Sequence, residues 1–118
     1  MGTVSFNLVA AADGLLSAEG ELSLVTVEAA LILSRHIFQQ QQGDVTVDLG
    51  EVSRADSAGL ALLILWVREL RGRGRTLTFV HTPPHLLRLA GASNLSNILP
   101  FSLPELLNSN DRTTQNFV

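Results

Sequence analysis

Apolar residues recur along this chain with two alternating periods. Val4, Phe6 and Leu8 alternate with polar neighbours, the spacing of a half-buried strand. Ala12-Asp-Gly14 reads as a turn and Leu15 to Gly20 as a second strand, which completes a hairpin. After Glu21-Leu22-Ser23 the spacing becomes helical through Val25, Ala29, Ile32, Leu33 and Ile37, and the tract Gln39 to Gln42 with Gly43 ends it. The glutamines read as a solvated helix end. Asp44 to Leu49 is apolar enough for a strand covered on both faces, with Val45, Val47 and Leu49 sharing one of them. A helix follows from about Ser57 to Arg71, closed by Gly72 and Gly74, and Thr76 to Val80 is the next strand. Strand, helix, strand at this spacing is a βαβ crossover, so those two strands should be parallel. Pro83 and Pro84 open a short helix to about Leu89 that Gly91 terminates. From Pro100 the chain turns polar. Residues 1–107 are expected to form one domain, and residues 108–118, rich in Asn, Ser, Thr and Gln, a disordered tail.

The helix from Ser57 has faces that can be assigned. At about 100° per residue, Leu60, Leu63, Val67 and Leu70 fall on one core-facing stripe. The other side carries Arg68 and Glu69, but also Ala58, Ala61, Leu62 and Leu65, on the side of Ser57. That surplus of apolar surface predicts a covering element or a partner. Trp66, near the edge of the stripe, is expected to be partly buried packing. The junction Arg54-Ala-Asp-Ser-Ala-Gly-Leu-Ala61 offers two side chains, Asp56 and Ser57, able to cap the helix. It also leaves a hydroxyl at the positive end of a helix, where phosphate is favoured. Gly59 predicts close packing or a tight first turn, since glycine is otherwise disfavoured inside a helix.

Composition narrows the function classes. A chain of 118 residues suits one domain able to bury a core. With no cysteine, neither disulfides nor a thiolate metal site can form. The net charge is -3 and the Lys+Arg total of 8 is all arginine, so no strongly basic surface for nucleic acid is expected. The N-terminus lacks the pattern of a signal peptide, and the longest apolar run, Leu60 to Val67, is too short to span a bilayer. Arg71, Arg73 and Arg75 read as solvated cations at a helix C-terminus, favoured by its dipole, rather than as a phosphate patch. Arg54, beside the apolar face, is the better candidate for a partner's carboxylate. His36, His81 and His85 share no metal-ligand spacing. There is no glycine-rich phosphate loop, no nucleophile elbow and no triad. The reading is a binding module without catalysis, cofactor or metal.

Five segments then carry a resemblance. Gly20-Glu-Leu22, Val47-Asp-Leu-Gly50, Asp56-Ser-Ala-Gly-Leu60, the glycine between the helix and the Phe79 strand, and Pro84 to Gly91 resemble the STAS family (sulfate-transporter and anti-sigma-factor-antagonist domains) over roughly residues 4 to 100. The resemblance implies an α/β fold, a mixed β-sheet with α-helices packed mainly on one face. Val52 to Leu63 and Arg88 to Pro100 look like MlaB-type members, cytoplasmic partners of the ATPase in a bacterial phospholipid-trafficking ABC transporter. Such a subunit would be non-catalytic and would support a transporter that maintains outer-membrane lipid asymmetry. It would lie at the inner face of the inner membrane through its ATPase, permease and lipid-binding partners, without inserting into the membrane. Its contacts would be Arg54, Asp56, Ser57, Ala58, Ala61, Leu62 and Leu65. The alternative that the resemblance implies is an anti-sigma-factor antagonist, regulated by phosphorylation of Ser57. Many antagonists carry a final amphipathic helix, for which the sequence after Pro100 gives no convincing pattern.

Overall fold

A computed structural model describes residues 4–102. The elements follow in the order β1 (Phe6–Ala12), β2 (Leu15–Leu22), α1 (Val27–Gln40), β3 (Val45–Ala55), α2 (Ser57–Arg71), β4 (Leu77–Val80) and α3 (Pro84–Ala92). The strands form one sheet in the order β1-β2-β3-β4. β1 and β2 are antiparallel across the Asp13-Gly14 turn, where Gly14 takes φ 75°. β2 and β3 are parallel, as are β3 and β4, so the sheet is mixed. The predicted βαβ crossover is therefore present, with α2 as its helix.

Burial alternates across the middle of this sheet. Leu8, Leu16, Ala18, Val45, Val47, Leu77 and Phe79 are buried, and the register places them on one face. Their neighbours Val9, Ser17, Thr46, Asp48 and Thr78 are not buried. One face thus carries the helices and the core, and the other stays open. β3 is accordingly not covered on both faces as its apolar run suggested.

β3 is also longer than its apolar run. Period two would turn Glu51 and Ser53 inward after Leu49, yet Val52 is the buried residue. The register against β2 slips between Ser17 and Glu19 and again between Gly20 and Glu21, so that Leu15 to Leu22 is matched by Thr46 to Ala55. Each slip inserts one β3 residue as a bulge. The first keeps Val52 on the core face, and the second restores the phase at Ala55, which is half-buried.

On α2 the predicted stripe is buried: Leu60, Leu63, Val67 and Leu70. Leu62 and Trp66 are buried with them, at 2% and 0% exposure. Leu62 is thus a core residue, not a contact residue, because the helix lies deeper against α1 and the sheet than one stripe requires. Trp66 is fully enclosed. Its Nε1–H donates to Ser34 Oγ at 2.8 Å, and its ring meets Phe38 edge-on at 5.6 Å. The residue α1 gives to the Trp66 indole N–H is therefore a serine. Ala30, Ser34 and Phe38 are the buried residues of α1, whereas Ile32, one of the apolar residues that marked the helical spacing, is 67% exposed. A small polar position opposite an indole satisfies the buried N–H and leaves room for the ring.

The remaining departures are local. Gln41 Oε1 accepts the Gly14 N–H at 3.0 Å, so the glutamine tract anchors the hairpin turn. Gly91 lies inside α3, and the chain leaves that helix at Asn94, whose φ is 59°. Beyond α3, Phe101 bridges Phe79 and Ser102 N–H donates to the Phe79 carbonyl at 2.8 Å. The expected tail, 108–118, lies outside the described residues.

Candidate functional site

The junction between β3 and α2 is built by Asp56. Its φ of -126° keeps it extended at the N-cap, and Oδ1 accepts the N–H groups of Ala58 at 2.9 Å and Gly59 at 3.1 Å. Its Oδ2 accepts the Leu24 N–H at 3.0 Å, from the loop before α1. The backbone N–H of Leu24, then those of Gly59 and Ala58, hold this carboxyl below its ordinary range against the opposing effect of desolvation. Asp56 alone is the cap. Ser57, the first helical residue, is exposed and its hydroxyl makes no hydrogen bond among the described residues.

Gly59 explains how the junction sits so close to β2. A Cβ there would collide with the Leu22 carbonyl oxygen, the same oxygen that accepts the Asp56 N–H at 3.1 Å. Only glycine lets the first turn of α2 reach the end of β2.

The loop at the other end of that carboxylate is wired internally. Thr26 Oγ1 accepts the Ser23 N–H at 3.1 Å and donates to the Glu21 carbonyl at 2.6 Å; Ser23 Oγ donates to Glu21 Oε2 at 2.6 Å. These bonds hold out two aliphatic side chains, Leu24 and Val25, at 75% and 74% exposure. A cleft of about 200 Å³ opens beside them, lined by Glu21, Ser23, Val25, Arg54, Ala55 and Asp56.

Six of the seven expected contact residues therefore gather at this end of the molecule or along the outer side of α2. Arg54, Asp56, Ser57 and Ala61 are exposed, and Ala58 and Leu65 are half-buried. Leu62 faces inward. The sequence reading missed Leu24 and the cleft, and counted Val25 within the helical spacing of α1. The available signal was Thr26: as the cap of a helix starting at Val27, it leaves Leu24 and Val25 outside the helix.

The other candidates have structural employment. Arg75 donates from Nε to the Gly43 carbonyl at 2.7 Å and from Nη1 to the Phe38 carbonyl at 3.0 Å, which ties down the end of α1. Arg71 and Arg73 are exposed. His81 pairs with Asp48 at 3.0 Å, and His85 Nε2 lies 3.2 Å from the Val52 carbonyl. Among the described residues no group of three or more metal-ligating side chains comes together, and no helix is long and apolar enough to cross a membrane.

Comparison with known proteins adds the family. The fold is similar to that of the anti-sigma factor antagonist SpoIIAA in its unphosphorylated form, with 22% identity, a TM-score of 0.62, and coverage of 92% of this chain and 96% of that one. The phosphorylated form of SpoIIAA, a Bacillus cell-fate determinant, aligns at 22% identity with a TM-score of 0.58, over 92% of this chain and 98% of that one. A candidate anti-sigma factor antagonist from Thermotoga maritima aligns at 16% identity with a TM-score of 0.59, over 88% of this chain and 92% of that one. At such identities the likeness is one of fold. A search among curated protein sequences found no match. Residues 9–103 match the family model described as "Mlab, STAS domain", and the chain belongs to the STAS domain family, in its MlaB type.

Proposed function

We propose that this STAS domain is a non-catalytic accessory subunit that binds and supports the ATPase of an ABC transporter moving phospholipids, and so helps to maintain outer-membrane lipid asymmetry. The observation that carries the reading is the match of residues 9–103 to the MlaB-type model. The docking surface is the Asp56 end of the domain: Arg54, Asp56, Ser57, Ala58, Ala61 and Leu65, joined by the exposed Leu24 and Val25. Exposed aliphatic side chains beside a rigid helix N-terminus suit a protein partner, since their burial gives affinity and the capped turn fixes the geometry. The domain would then work on the cytoplasmic face of the inner membrane, held there by its partners.

The test is the affinity of the purified domain for the transporter ATPase of the same cell, measured by titration calorimetry. Ala61→Glu should leave the melting temperature unchanged and abolish binding, because a carboxylate would be desolvated in an apolar contact. Normal affinity of Ala61→Glu would place the contact elsewhere.

A second reading, an antagonist in partner switching, is favoured by the free Ser57 hydroxyl and by the fold shared with SpoIIAA. A phosphate at Ser57 would add nearly two negative charges beside Asp56 and the apolar contact, and would disfavour docking. Intact-mass measurement of the protein from its own cells, under conditions that switch the pathway, separates the readings. A condition-dependent phosphate mapped to Ser57 supports partner switching; its absence, with the ATPase co-purifying, supports the transporter subunit.

A further inference from the structure

The cleft beside Asp56 has a hydrogen-bonding imbalance. Its two carboxylates are supplied from within the fold: Asp56 accepts three backbone N–H groups, and Glu21 accepts the Ser23 hydroxyl. Its one cation is not. Arg54 stands opposite Glu21 in the β2–β3 register, the usual setting for a cross-strand ion pair, yet it makes no ion pair or hydrogen bond among the described residues. The second bulge of β3 falls between Gly20 and Glu21 in that register, next to the expected partners, and Glu21 is bonded towards Ser23 instead. Arg54, whose guanidinium carries five N–H donors in a planar fork, thus lines a cleft of about 200 Å³, next to two aliphatic side chains three-quarters exposed.

We propose that this cleft is a recognition pocket for an acidic side chain of the docking protein, which pairs with Arg54 while Leu24 and Val25 pack against the aliphatic residues that flank it. The inference rests on the proposed function for the identity of the partner, the transporter ATPase. An acidic guest is favoured over a basic one because Asp56 is bonded on both carboxylate oxygens and Glu21 on one, whereas the guanidinium donors are unengaged among the described residues. A carboxylate also matches the fork of the guanidinium with two parallel bonds. The positive end of α2, which opens at the same junction, acts in the same direction. A guest held in this way reads both charge and shape, so the cleft selects among ATPases where the apolar face alone would not.

The experiment is a charge exchange across the interface, using the whole chain and the purified transporter ATPase. Arg54→Glu is compared with Arg73→Glu, which makes the same change of charge beyond the far end of α2, about 20 Å away. Both should melt like the wild type. Arg54→Glu should weaken binding at least tenfold and Arg73→Glu less than twofold, and replacing one acidic residue of the ATPase by arginine should restore the Arg54→Glu complex. Arg54→Lys, which keeps the charge and loses the fork, should fall between. Wild-type binding with equal affinities for the Arg54→Glu and Arg73→Glu variants would overturn the pocket while leaving the proposed function standing. No binding of the wild type would overturn both.

Discussion

Asp56 Oδ2 and the Leu24 N–H, 3.0 Å apart and 32 residues distant in sequence, join the loop before α1 to the first turn of α2. One carboxylate therefore sets both the helix start and the presentation of the exposed aliphatic pair. Asp56→Ala should cost about 0.5–2 kcal/mol for the cap alone. It should also speed amide hydrogen exchange at Leu24 together with Ala58 and Gly59. Exchange that rises at the helix residues but not at Leu24 would show that the loop holds its place without this bond.

The same carboxylate sets an acid limit. Its folded pKa is lowered, chiefly by the Leu24 N–H, so its contribution to stability is fully present above the ordinary carboxylate range and is lost as pH falls through the folded value. Asp44, lowered by its bond to the Thr76 N–H at 2.9 Å, behaves in the same sense. Urea unfolding followed from neutral pH to below the carboxylate range should show stability falling at the acid end. The Asp56→Asn variant should have a shallower fall there. An equal slope would mean that Asp56 keeps no such preference in solution.

Ser34 and Trp66 form a buried pair that can be dissected. Ser34→Ala should cost about 1–3 kcal/mol, because it strands the indole N–H without an acceptor. In a Trp66→Phe background the same change should cost about 1 kcal/mol less or better still, since no N–H remains to strand. Ser34 Oγ still donates to the Leu31 carbonyl, at 2.9 Å, in that background. Denaturant titration of the four proteins of the cycle measures the difference, and additive losses would mean that the bond contributes nothing net.

Two glycines on helices should respond with opposite signs. Gly59→Ala would set a Cβ against the Leu22 carbonyl, so the melting temperature should fall despite the better helix former. Gly91→Ala in α3 would place its Cβ 3.6 Å from Ser96 Oγ, an ordinary contact, and should stabilise by about 0.5–1 kcal/mol. A tolerated Gly59→Ala would show that the α2 junction can withdraw from β2.

The reach of the sequence can be traced through single residues. Leu60, Leu63, Val67 and Leu70 were legible as the buried stripe of α2 because each repeats a helical period without interruption. The cap was legible only as Asp56 or Ser57, since either oxygen suits the position, and Gly59 as a sign of close packing or a tight first turn. Leu62 was misplaced because periodicity counts one neighbouring surface, whereas α2 packs against both the sheet and α1. Ser34 was invisible as a core residue, since its burial depends on an indole 32 residues away. Val25 was drawn into α1 by an apolar side chain that fits the helical spacing but lies one residue before its cap. The bulges of β3 could not be read at all, because an inserted residue looks like the end of an alternating pattern.

Those two insertions make β3 a strand whose inward and outward sides are set by counting residues. One residue added elsewhere in the strand would act like a parity error, exchanging core and solvent assignments beyond it. Loss of Gly50 or Ser53 would only remove a bulge, since Val52 would still face Gly20 and Ala55 would still face Leu22. A deletion at Gly50 or Ser53 would therefore remove a bend in the strand that carries Arg54 and Asp56 to the site, while the inward and outward assignments survive.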